Sequence, residues 1–123
     1  MDKKVLIVDD DIDILTIYGE LFEKLGCQVR TAINTTEARP LIDAFQPDLI
    51  ILDVMMQQAD EGFAFAQQLL HERLTIPVVI TSSIARAGQE VFDMDIANVR
   101  AILQKPVDLK ELTALAQKIF AGG

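Results

Sequence analysis

Short apolar runs punctuate this chain, and stretches of helical spacing separate them. Val5-Leu6-Ile7-Val8 and Leu49-Ile50-Ile51-Leu52 have no polar position on either face. Runs of that kind predict strands covered on both sides, in the middle of a parallel sheet flanked by helices. Pro77-Val78-Val79-Ile80-Thr81 is a third such run, ending in Ser82-Ser83. Gln28-Val29-Arg30-Thr31-Ala32 is shorter in apolar content and reads as an edge strand, and Ala101-Ile102-Leu103-Gln104 reads as a last strand.

Between the runs the spacing changes to three and four. Ile14, Leu15, Tyr18, Leu21, Phe22 and Leu25 form one helical face, with Asp11 or Asp13 as N-cap and Gly26 as the stop. Asn34-x-x-Glu37 has the form of a capping box before Ala38, Leu41, Ile42 and Phe45. Pro40 lies inside that pattern, and proline in a helix interior costs about 3 kcal/mol. The second helix is therefore expected to start late or bend between Thr36 and Pro40. Gly62 precedes a third helical pattern through Phe63, Ala66, Leu69 and Leu70, ending near Arg73. Arg86 to Met94 carries weak periodicity and predicts a short helix. Asp108 and Glu111 form a second capping box, ahead of Leu109, Leu112, Leu115, Ile119 and Phe120.

The order is β-α repeated five times, which implies a parallel sheet with right-handed crossovers and helices on both faces. The three most apolar strands (first, third and fourth) belong in the centre, and the second and fifth at the edges. The expected fold is α/β: a three-layer αβα sandwich whose five-stranded sheet runs 2-1-3-4-5, a flavodoxin-like arrangement. Its switch point falls between the first and third strands.

Composition narrows the function classes. A chain of 123 residues with 50% apolar and 24% charged positions fits a single globular domain over 1–123. No apolar run approaches the roughly 20 residues of a bilayer span, so no membrane contact is expected. Met1-Asp2-Lys3-Lys4 leads at once into a strand rather than a secretory signal, and the expected compartment is the cytoplasm. A net charge of −8 argues against nucleic-acid binding through a basic face. Cys27 and His71 are each the sole residue of their type. That rules out an internal disulfide and counts against histidine metal sites and Ser-His-Asp triads.

Chemistry gathers where the strands end. The first strand stops at Asp9-Asp10-Asp11, the third at Asp53, the fourth at Ser82 and the fifth at Lys105. In the order 2-1-3-4-5 these ends are neighbours, at the carboxyl edge where open α/β sheets bind ligands. Carboxylates converging there repel one another, which raises their pKa values or calls in a cation. A hard divalent ion such as Mg²⁺ is the natural solution. With Lys105 as a fixed cation and Ser82 as a hydroxyl donor, these are the parts that phosphoryl transfer to a carboxylate requires.

At this point the chain resembles the receiver domains of two-component response regulators. The resemblance rests on Lys4-Val5-Leu6-Ile7-Val8-Asp9-Asp10, Pro47-Asp48-Leu49-Ile50-Ile51-Leu52-Asp53-Val54-Met55-Met56, Pro77-Val78-Val79-Ile80-Thr81-Ser82 and Lys105-Pro106, in that order over essentially the whole chain. It implies that Asp53 accepts the phosphoryl group of a phosphohistidine, from a sensor histidine kinase or a histidine phosphotransfer protein. It further implies Mg²⁺ held by Asp9, Asp10, Asp53 and the backbone carbonyl of Met55, with Lys105 pairing a phosphate oxygen and Ser82 another. The signal would pass to a downstream protein or a fused output domain, and the chain is either a stand-alone receiver or one unit of a longer protein. The Lys105–Pro106 bond is expected to be cis, aiming the ammonium back towards Asp53. Met55 and Ile84 are expected to cover the approach of hydrolytic water and make the phosphoryl group long-lived.

The departures from the family pattern are specific. Gln57 replaces the usual proline four residues after the acceptor, and Asp60-Glu61-Gly62 carries a one-residue insertion. The switch hydroxyl is open among Thr81, Ser82 and Ser83; counting from Pro77 favours Ser82 and counting from Asp53 favours Ser83. Ile102 stands where an aromatic is common, and Ala97-Asn98 where Gly-Ala is usual. These changes support a second reading, a receiver-like docking module not regulated by phosphorylation. Two other classes fit less well. A flavodoxin-like cofactor binder needs a phosphate cradle where this chain has three aspartates. An aspartyl phosphatase would use Asp9 and Asp11 as nucleophile and second acid.

Overall fold

The computed structural model describes residues 2–53, 76–82 and 99–122. Within them β1 (Lys4–Val8), β2 (Gln28–Ala32), β3 (Leu49–Asp53), β4 (Val78–Ser82) and β5 (Val99–Gln104) form one sheet. All neighbouring pairs are parallel, and the order is β2-β1-β3-β4-β5. The expected order and edges are those observed. The helical patterns after Gly62 and over 86–94 lie outside the described residues, as do Met55, His71, Ser83 and Ile84.

Side chains on a strand alternate between faces, which explains why the central runs contain no polar residue. Leu6, Val8, Ile50, Leu52, Val78 and Ile80 pack on one side with Ala38 and Ile42 of α2 (Thr35–Phe45). Val5, Ile7, Leu49, Ile51, Val79 and Leu103 pack on the other. Their partners there are Leu15, Tyr18 and Phe22 of α1 (Ile12–Lys24) and Leu112 and Ala116 of the C-terminal helix (Leu109–Phe120). Each face is therefore covered, and β3 and β4 are buried at every position. The edge strand β2 leaves Gln28, Arg30 and Thr31 exposed. At the other edge, β5 begins two residues earlier than its apolar run, with a register irregularity between Val78↔Val99 and Val79↔Ala101.

The helix ends follow local chemistry. Asp11 caps α1 through a 2.9 Å hydrogen bond from the Asp13 amide, and Gly26 takes φ 85° where the chain turns into β2. α2 starts at Thr35 rather than late. Asn34 accepts from the Glu37 amide at 2.8 Å, and the Glu37 carboxylate accepts from the Ile33 amide at 3.1 Å. That reciprocal cap holds the first turn, and Ala38, Ile42 and Phe45 anchor the helix on the core. Pro40 is carried inside it, on the exposed face. At the C-terminal helix the cap differs by one position from expectation: Asp108 accepts from the Lys110 amide at 2.9 Å. Among the described residues, no helix is long and apolar enough to cross a membrane.

Candidate functional site

β1 delivers Asp9 to the carboxyl edge of the sheet, and the parallel ladder continues one residue past it through a 3.0 Å bond from the Asp9 amide to the Ala32 carbonyl. Asp9 follows the alternation of Val5 and Ile7, so its side chain belongs to the face covered by α1 and the C-terminal helix. Asp53 is the last residue of β3 and, by the same alternation from Leu49 and Ile51, belongs to that face too. Both carboxylates are buried, Asp9 at 1% and Asp53 at 2% exposure. Asp10 follows at the chain's exit into α1 and is exposed.

Lys105 reaches back from the far side of the sheet. Its amide donates to the Ser82 carbonyl at 2.7 Å, which ties it to the end of β4. The bond to Pro106 that follows is cis, as expected. The ammonium lies 2.9 Å from Asp9 Oδ2 and 3.3 Å from Asp53 Oδ2. Asp9 is held at both ends, because its Oδ1 accepts from the Asp11 amide at 2.9 Å. Burial disfavours the Lys105 charge, but the hydrogen bond to Asp9 and the charges of Asp53 and Asp9 outweigh it, and the ammonium's pKa is raised. The repulsion expected among the carboxylates is thus met in part by a cation from the chain itself.

Carboxylate oxygens of Asp9, Asp10 and Asp53 lie within 4.8 Å of one another. The donor set is all hard oxygen, two groups buried and one open to solvent. That suits a small hard cation which keeps part of its water shell, Mg²⁺ above the softer metals. Thr81 and Ser82 end β4 beside Asp53, each 1% exposed. Ser83 and Met55 lie outside the described residues.

Tyr18 is a neighbour that its sequence position does not announce. On α1 it reads as one more apolar-face residue, and it is buried in that core. Its hydroxyl nevertheless senses the site. Burial raises its pKa most, Lys105 pulls it down, and Asp9 and Asp53 push it up. Only the three-dimensional packing of α1 beneath the strand ends reveals that proximity.

A model of the response regulator receiver domain matches residues 5–117. The alkaline phosphatase synthesis transcriptional regulatory protein PhoP of Bacillus subtilis is 30% identical over 98% of this chain and 49% of its own length. This chain therefore spans about half the length of the curated relatives it matches. Among solved structures, the receiver domain of Francisella response regulator 1452 superposes with a TM-score of 0.86 at 27% identity, covering 98% of both chains. A two-component response regulator from Clostridium difficile gives 0.86 at 25% identity, covering 98% of this chain and 97% of its own. The site's strand ends, the sheet order and these likenesses converge: the chain belongs to the response regulator receiver domains of two-component systems.

Proposed function

We propose that this receiver takes a phosphoryl group onto Asp53, from the phosphohistidine of a sensor histidine kinase or a histidine phosphotransfer protein. The observation that carries the reading is the Lys105 ammonium set between two buried carboxylates, 2.9 Å from Asp9 and 3.3 Å from Asp53. An exposed ornamental acid has no such setting. Asp53 is the nucleophile because it ends the central strand β3 and keeps Lys105 within reach of an incoming phosphoryl oxygen. Asp9 is less suited, since both its oxygens are already engaged.

Asp9, Asp10 and Asp53 would hold Mg²⁺, together with the backbone carbonyl of Met55. When bound, such an ion neutralises charge on the phosphoryl oxygens, the main need of this chemistry. The chain's own residues do the rest. Asp53 Oδ forms the bond to phosphorus as the donor's P–N bond breaks, and the electron pair leaves with the imidazole. Lys105 follows the negative charge outward, and Ser82 supplies a hydroxyl to a phosphoryl oxygen. The changed strand ends then alter the surface offered to a downstream protein or a fused output domain.

Incubation with Mg²⁺ and acetyl phosphate should add one phosphoryl group by intact mass, and Asp53→Asn should abolish it. Equal labelling of the variant would refute the assignment. Ile102, in the position where an aromatic switch is common, packs partly buried against the core on that face of the sheet. Conformational signalling by an aromatic rotamer at that position is therefore absent, which keeps the phosphorylation-independent docking module as the rival reading. A chain that binds Mg²⁺ and labels on Asp53 excludes that rival.

A further inference from the structure

Thr81 sits one residue before the end of β4, 1% exposed, and its buried hydroxyl oxygen has no hydrogen-bond partner. Native interiors pair nearly all such groups, so an orphan needs a physical reason. Its position supplies one. Thr81 is the register partner of Asp53 on the neighbouring parallel strand, and such strands lie about 4.8 Å apart. Alternation from Ile51 and Val79 puts both side chains on the same face. The orphan hydroxyl therefore lies level with the acceptor carboxyl. Ser82 is one residue further out, where a phosphoryl group would be. In the resting form, the Asp53 carboxylate has Lys105 at 3.3 Å, and the Thr81 hydroxyl has no bond.

We infer that Thr81 is a positioning residue of the phosphorylated form, its hydroxyl donating to the Asp53 oxygen that remains as the acyl carbonyl. This rests on Asp53 being the phosphoacceptor. On transfer, one Asp53 oxygen bonds phosphorus and the donor departs with its electron pair. Negative charge moves outward to the phosphoryl group and Lys105 follows it, so the Asp53 carboxyl loses its ammonium contact while it stays among the Mg²⁺ ligands. Thr81 is the unpaired hydroxyl level with Asp53 on the neighbouring strand, while Ser82 serves the phosphoryl group. A contact made in one state and absent from the other favours the first by its full worth. The resting form also sheds an unpaired buried group when the bond is made.

The probe is beryllofluoride with Mg²⁺, which forms a tetrahedral adduct on a carboxylate oxygen. Tyr18 reports it, since the chain has one tyrosine and no tryptophan and that tyrosine feels Asp9, Asp53 and Lys105. Thr81→Val keeps the shape and removes the hydroxyl. It should weaken beryllofluoride binding about tenfold, while Thr81→Ser stays within about twofold of the wild type. The melting temperature of resting Thr81→Val should equal or exceed that of the wild type, because an orphan hydroxyl is gone. Wild-type affinity in Thr81→Val overturns the inference. So does equal weakening in Thr81→Val and Thr81→Ser, which marks a packing effect. A wild type that takes up no beryllofluoride, with Asp53→Asn indistinguishable from it, overturns the Asp53 reading beneath it and this inference together.

Discussion

Lys105 keeps 21% of its side chain exposed while its ammonium serves two carboxylates that are 2% exposed. The asymmetry sets what its removal does. Lys105→Met would leave Asp9 and Asp53 as buried neighbours without that cation, and breaking a buried pair from one side costs about 3–5 kcal/mol. Partial exposure of the lysine lowers this, so a loss of about 2–3 kcal/mol at pH 7 is expected by urea denaturation. The alkaline limb has its own sign. The folded Lys105 pKa lies above its ordinary 10.5. Its stabilisation is thus complete below that ordinary value and is lost as pH rises through the higher folded one. Wild type should therefore lose more stability than Lys105→Met above about pH 10.5.

At the scale of elements, α2 carries two opposed local signals. The Asn34–Glu37 cap starts the helix, and Pro40 in its second turn has no N–H to give to the Thr36 carbonyl. Asn34→Ala should lower stability by about 1 kcal/mol. Pro40→Ala should raise it by about 1–2 kcal/mol, the helix-interior penalty less the entropy that proline removes from the unfolded chain. A destabilised Pro40→Ala would show that the ring's packing outweighs the missing donor. This helix also marks where sequence reading runs out. Pro40 alone argues for a late start, but three buried anchors, Ala38, Ile42 and Phe45, override it, and tertiary burial is invisible to local pattern. The strands were legible because both faces are covered, which strips Val5–Val8 and Leu49–Leu52 of polar residues. The acids and Lys105 were legible because they end strands of known order. Thr81 was legible only as one of three candidate hydroxyls and Tyr18 only as a core residue: a hydroxyl in an apolar pattern gives no sign of which buried group it faces.

For the whole molecule, the sheet order brings β1, β3, β4 and β5 side by side, so that residues from 9 to 105 in sequence converge on one edge. The chain carries a net charge of −8, and three of its carboxylates are concentrated there. Any cation stabilises such a molecule by screening, whereas a cation bound at the edge stabilises it by mass action as well. The two separate experimentally. MgCl₂ should raise the melting temperature well beyond NaCl of equal ionic strength, with about 2.7 kcal/mol gained when Mg²⁺ is a hundredfold over its dissociation constant. Asp10 is the discriminating position, because it is exposed and outside both core clusters. Asp10→Asn should leave the fold's stability without Mg²⁺ nearly unchanged and remove most of the Mg²⁺-specific rise. If Mg²⁺ gives the wild type no more than matched NaCl does, the acidic edge is not a cation site, and the phosphorylation-independent docking reading gains the ground that Asp53 chemistry loses.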